Sequence, residues 1–126
     1  MDKFADTVAK YFAAIREGDT NTWVQLFAKD GVSHDPIGMA SYTGHEQLEK
    51  FFTGINKAFA KVSFVEESTY VCGQYAAVKW NANGTGHNGV EVSFSGIDTF
   101  EMNDDGEIVE LKAYWDLKGT MAKLKG

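Results

Sequence analysis

The chain reads as an α+β domain in which three amphipathic helices precede a long antiparallel meander. Apolar residues recur at helical spacing through Phe4–Ile15, Trp23–Phe27 and Leu48–Phe59, then switch to strict alternation from Lys61 onward. Turn sequences punctuate the change, with Gly18-Asp19, Gly31 and Asn103-Asp104-Asp105-Gly106 falling where one pattern gives way to the next. The 126 residues suffice for one domain, residues 1–126, burying roughly two-thirds of the surface its unfolded form exposes. A sheet that long and twisted curls around helices packed on one face and leaves a cavity between them.

The elements follow in order. Phe4, Val8, Tyr11 and Ile15, with Ala5, Ala9 and Phe12 beside them, predict a helix over residues 3–16 that ends at Gly18. Asp19 or Thr20 caps a second helix, whose buried stripe is Trp23, Leu26 and Phe27 and whose stop is Gly31. Val32 to Asp35 forms a short strand, because Pro36 pushes the residue before it into extended geometry and ends the ladder. Thr43 and Glu46 have capping-box spacing, and Leu48, Phe51, Phe52, Ile55 and Phe59 give the third helix. Period-two segments then predict strands at Lys61–Glu66, Thr69–Asn81, Val90–Met102 and Glu107–Trp115, with Asn83–Gly89 a polar connection.

Composition narrows the function. A formal charge of −6 repels phosphate backbones and anionic lipid, so nucleic acid and membrane surfaces are not expected partners. No apolar run approaches the ~20 residues needed to span a bilayer. The single cysteine, Cys72, forms no internal disulfide and reads as a small core residue, and no basic-then-apolar leader precedes Phe4, so a cytoplasmic location is expected. His34, His45 and His87 lack ligand spacing, and no metal site is expected. An aromatic share of 13 % is generous and fits a large core or a lined cavity.

Asp98 carries the chemistry. It shares a strand face with Val90, Val92, Phe94, Gly96, Phe100 and Met102, an acid where the alternation calls for a hydrophobe. A carboxyl among apolar side chains loses the hydration its charge needs, so its pKa rises and it holds its proton. Tyr11 lies on the apolar stripe of the first helix, and Asp35 ends a strand before Pro36. Each has a plain alternative: a buried tyrosine bonded to one carbonyl, a turn-starting aspartate, or a β-bulge near Gly96 that rotates Asp98 outward. Together they form one set, a carboxylate base with two donors for a developing oxyanion, which is what proton abstraction beside a carbonyl requires. Phe51, Phe52, Trp80, Phe94 and Trp115 are the candidate walls of a substrate pocket.

Tyr11 with Ala13-Ala14-Ile15 and Gly18-Asp19, Leu26-Phe27-Ala28, Asp35-Pro36-Ile37-Gly38, Gly44, Phe51 and Ile97-Asp98-Thr99-Phe100 resemble the bacterial steroid Δ5-isomerases (ketosteroid isomerases) over nearly the whole chain. They belong to a wider nuclear-transport-factor-2-like, polyketide-cyclase-like (SnoaL-like) superfamily. The resemblance implies a cone-shaped, cystatin-like α+β barrel, a curved antiparallel or mixed sheet wrapped around three N-terminal helices, usually as a homodimer. It implies that Asp35 moves the proton while Tyr11 and protonated Asp98 hold a dienolate, on a small apolar ketone or steroid-like ligand and without a cofactor. The chain departs from that pattern at Phe52, where the well-known members place a tyrosine supporting the first, and Phe27 offers no hydroxyl either. A polyketide-cyclase-like enzyme and a non-catalytic ligand-binding or assembly module of the same fold are the alternatives. His34 alternates away from Asp35, and Arg16 is the lone arginine, at a helix end, which disfavours dehydratase and epoxide-hydrolase chemistry.

Overall fold

The computed structural model describes residues 2–125. Its elements are α1 (Lys3–Glu17), α2 (Thr20–Gln25), β1 (Phe27–His34), β2 (Ser41–Thr43), α3 (Gly44–Ala58), β3 (Lys61–Cys72), β4 (Tyr75–Thr85), β5 (Glu91–Met102), β6 (Ile108–Trp115) and α4 (Leu117–Leu124). Six strands form one open sheet in the order β2-β1-β6-β5-β4-β3, antiparallel throughout except where β1 lies parallel to β6. The architecture is the α+β layout expected, with a mixed sheet. No described helix is long and apolar enough to cross a membrane.

Local chemistry sets the helix ends. The Asp2 carboxylate accepts from the Phe4 amide at 2.7 Å to start α1, and Gly18 closes it with φ 65°, a left-handed conformation that glycine adopts without penalty. The inner faces of α1, α2 and α3 then meet the concave face of the sheet. Phe12, Trp23, Phe27 and Leu48 are each almost wholly buried there, and each such burial contributes on the order of 1.5–3 kcal/mol.

Several expectations are corrected. The second helix ends at Gln25, and Phe27 and Ala28 lie in β1; Phe27 pairs with Ile108, and the Leu26 carbonyl accepts from the Ile108 amide at 2.9 Å, so sheet pairing overrides the helical pattern. Gly31 is no helix stop. It sits inside β1, where a Cβ would lie 2.8 Å from the Ile108 carbonyl oxygen. Thr43 does precede α3, but its side chain makes no capping bond; its amide instead donates to Gln47 Oε1 at 2.9 Å. The strand expected over Thr69–Asn81 is cut by a turn at Gly73, φ 59°, while β3 runs on past Glu66 through a bulge. Cys72 is exposed on the outer face, one alternation step from where a core residue would stand. The short strand β2 and the helix α4 were not anticipated. Asp116 caps α4 by accepting from the Gly119 amide at 3.0 Å.

β5 alternates as its sequence requires, with Val92, Asp98, Phe100 and Met102 buried and Glu91, Ser93, Ser95, Ile97 and Glu101 exposed. Trp80, Gly96 and Trp115 form one cross-strand row, and Val78, Asp98 and Ala113 form the next row on the same face. Gly96 has no Cβ because none fits. One would lie 2.5 Å from the Tyr114 carbonyl oxygen and 2.6 Å from Trp80 Cζ2. Gly96→Ala is therefore expected to lose about 1–3 kcal/mol, read from the urea unfolding midpoint, because backbone as well as indole must shift.

Candidate active site

Helices and sheet enclose a cavity of about 460 Å³. Tyr11 reaches it from α1, Trp23 from α2, Asp35 from the end of β1, Tyr42 from β2, Phe51 and Phe52 from α3, and Trp80, Phe94, Asp98 and Trp115 from the sheet. Leu117 and Met121 of α4 close one side. All three candidate catalytic residues and all five candidate wall residues thus face one hollow.

Each acid is held by an indole. Trp80 Nε1 donates to Asp98 Oδ1 at 2.9 Å, and Trp115 Nε1 donates to Asp35 Oδ1 at 2.6 Å. The first contact runs diagonally between the two rows described above, within reach of so long a side chain. The second depends on β1 lying parallel to β6, which brings the residue after His34 level with the end of β6; the Ile37 amide donating to the Ala113 carbonyl at 2.8 Å fixes it there. His34 points elsewhere, its ring bonded to Ser41 Oγ at 2.6 Å and Glu110 Oε2 at 2.8 Å.

Burial then separates the two acids. Asp98 is 4 % exposed, and desolvation, reinforced by the nearby Asp35 charge, pushes its carboxyl well above the usual range despite the Trp80 bond, which favours the charged form. Asp35 keeps part of its surface accessible at the cavity wall; burial raises it to about 6, opposed by the Trp115 bond. Asp35 thus ionises near neutral pH, while burial holds the Asp98 carboxyl toward its protonated form. Desolvation also raises the Tyr11 phenol well above its ordinary value, and any negative charge on Asp98 or Asp35 adds to the effect, so it stays a donor.

Two residues escaped the sequence reading. Tyr42 stacks on Phe51 with ring centroids 4.4 Å apart, and its phenol is raised first by burial and then by the Asp35 charge, which puts it beside the base. Its signal lay in the alternation of Ser41-Tyr42-Thr43, too short to register as a strand. Trp23 packs on Tyr11 with centroids 5.8 Å apart, and its buried Nε1 makes no hydrogen bond of ordinary geometry to any described residue, though it lies near enough to lower the Tyr11 pKa. Among the described residues, no group of three His, Cys, Asp or Glu side chains is placed to hold a metal ion.

The fold is thus a small α+β cone with an acid pair and a phenol in an apolar hollow. Residues 8–111 match the SnoaL-like domain family, and the chain belongs to it. Among solved structures it is similar to SalBIII, the epoxide hydrolase/cyclase-like enzyme of pyran ring formation in the polyether salinomycin (24% identity over 91% of this chain and 92% of that one, TM-score 0.83). It is likewise similar to Rv0760c of Mycobacterium tuberculosis in complex with estradiol-17beta-hemisuccinate (21% identity, 93% and 96% covered, TM-score 0.84). A Catenulispora acidiphila protein of ketosteroid isomerase-like fold in complex with trimethylamine also matches (20% identity, 95% and 92% covered, TM-score 0.84). At these identities the likeness is one of fold.

The raised acids make stability depend on pH. Native Asp35 and Asp98 retain protons that the unfolded chain releases above the ordinary value of 3.8, so their contribution is full below that pH and declines as pH rises. The decline from Asp35 is complete above about 6, whereas that from Asp98 continues beyond it. Asp98→Asn cannot ionise, so its stability relative to the parent should grow between about pH 4 and about pH 8 in urea unfolding. A constant difference would show that Asp98 titrates as a solvated acid.

Proposed function

We propose that the protein enolises a flat, apolar ketone and moves its double bond, as the steroid isomerases it resembles do. The observation that carries this is the convergence of Tyr11, Asp35 and Asp98 on one apolar cavity, where burial raises Asp35 to about 6 and pushes Asp98 well above the ordinary carboxylate range. The Asp35 carboxylate removes a proton from the carbon between ketone and alkene, and the C–H electrons pass into the enolate. Charge collects on the ketone oxygen, where Tyr11 and protonated Asp98 each donate a hydrogen bond. Asp35 returns the proton to the far carbon of the dienolate, so atoms and charge balance without a cofactor. A steroid-like outline suits the aromatic walls, and the estradiol hemisuccinate bound by the mycobacterial neighbour supports a ligand of that kind.

Membership of the SnoaL-like family favours a second reading with the same first step: the enolate carbon attacks a carbonyl within a polyketide-like substrate and closes a carbon ring, and the resulting alkoxide takes the proton that Asp35 removed. Product analysis with 5-androstene-3,17-dione and with linear polyketone mimics separates the two. A module that only binds would turn over neither and would not select planar phenols, which mimic the enolate.

Tyr11→Phe and Asp98→Ala should each lower kcat by about 10²–10³, and Asp35→Asn by about 10²–10⁴, with the fold intact by circular dichroism. Parent rates in the first two would overturn the assignment. In the parent, kcat/KM should rise with pH and level off above about 6 as Asp35 ionises.

The same proposal includes a homodimer formed through the outer face of the sheet, where Tyr70, Tyr75, Ile97 and Tyr114 are 69%, 59%, 46% and 47% exposed. Light scattering should give twice the chain mass, and Tyr75→Glu with Tyr114→Glu should halve it. A monomeric parent would remove this part.

A further inference from the structure

We infer that Trp23 is a positioning residue of the oxyanion site, its indole N–H donating to the Tyr11 oxygen when that phenol gives its own hydrogen to a bound oxyanion. The inference rests on the enolising function proposed above. It starts from a buried donor with nowhere else to go. Trp23 is 1% exposed, and its Nε1 is unpaired among the described residues, a state that buried indoles rarely adopt. The rings of Phe27, Phe51 and Phe52, packed around it at 4.9 to 6.1 Å, carry no acceptor, whereas the adjoining Tyr11 carries a phenol oxygen.

The chain has three tryptophans, and all three line the cavity. Two already donate to the two acids. Trp23 completes the series by standing beside the third polar group. An indole N–H does not titrate and only donates, so it favours negative charge on whatever oxygen it faces. As Tyr11 shares its hydrogen with a charged ligand oxygen, its own oxygen becomes a stronger acceptor, and the two hydrogen bonds reinforce each other. A donor that engages only then strengthens the charged state over the ground state, which is the differential that accelerates a step. The direction of its influence on the phenol agrees, since the indole lowers the Tyr11 pKa against burial. Phe52 has no hydroxyl to serve this purpose.

Indole ¹⁵N–¹H NMR of the full chain tests this, with 2-naphthol titrated in as a planar oxyanion probe. The Trp23 proton should move downfield on binding, and the movement should vanish in Tyr11→Phe. If the Trp80 and Trp115 signals respond while Trp23 stays still, the role of Trp23 is overturned and the oxyanion site survives. If none responds, the enolising function falls and takes this role with it. Kinetics give a second measure that keeps the ring shape. Replacing Trp23 by 3-benzothienylalanine, which has sulfur in place of N–H, should lower kcat about tenfold at unchanged KM. In a Tyr11→Phe background the same replacement should change nothing. An equal loss in both backgrounds would mark Trp23 as packing alone and overturn the inference.

Discussion

Two carboxyl groups share one hollow lined mainly by apolar side chains, and this constraint organises the rest of the molecule. Charge in such a place is expensive, and two like charges more so, hence both acids are raised, Asp35 to about 6 and the deeper Asp98 well above the ordinary range. The difference comes from position along the wall, not from the residue type, which is the same at both sites. Indole N–H groups moderate the effect. Each supplies one hydrogen bond to a carboxyl oxygen without bringing a countercharge, so Asp35 remains ionisable at neutral pH and both side chains stay oriented.

The apolar wall therefore has two consequences. It raises the acids, and it offers the flat surface that an apolar ligand needs. A mutation that wets the hollow would affect both together, which couples binding to ionisation. The sheet makes this compatible with a folded chain of modest size: bare Gly96 lets the Trp80 and Trp115 rings lie on either side of β5, and parallel pairing of β1 with β6, which sets His34 beside Lys112, carries Asp35 toward the row of Asp98 and Ala113. Unanticipated α4 completes the enclosure with Leu117 and Met121.

Much of this was legible in the residues. Alternation along β5 placed Asp98 among hydrophobes, helical period placed Tyr11 inward, and Pro36 ended the strand that presents Asp35. The failures share a cause. Phe27 fits a helical stripe as well as a strand, and only its pairing with Ile108 decides between them. Gly73 breaks a segment rich in β-formers, and the bulge past Glu66 lets β3 absorb the residues on the other side. Cys72 pairs with Tyr75 next to that turn, on the solvent side of the sheet. Trp23 was recognised as buried, but whether its N–H had a partner is a question of distances that periodicity does not contain.

From its sequence alone the chain determined the layout of helices before a long sheet, the alternating faces of β5, and the identity of the three polar groups set against apolar neighbours, because these are properties of spacing along a backbone with fixed repeats. Tertiary structure decided how strongly burial raises each acid, which indole serves which oxygen, and what closes the cavity. Those depend on depth from solvent and on contacts between residues far apart in the chain, and both arise only when the sheet bends and the helices seat upon it.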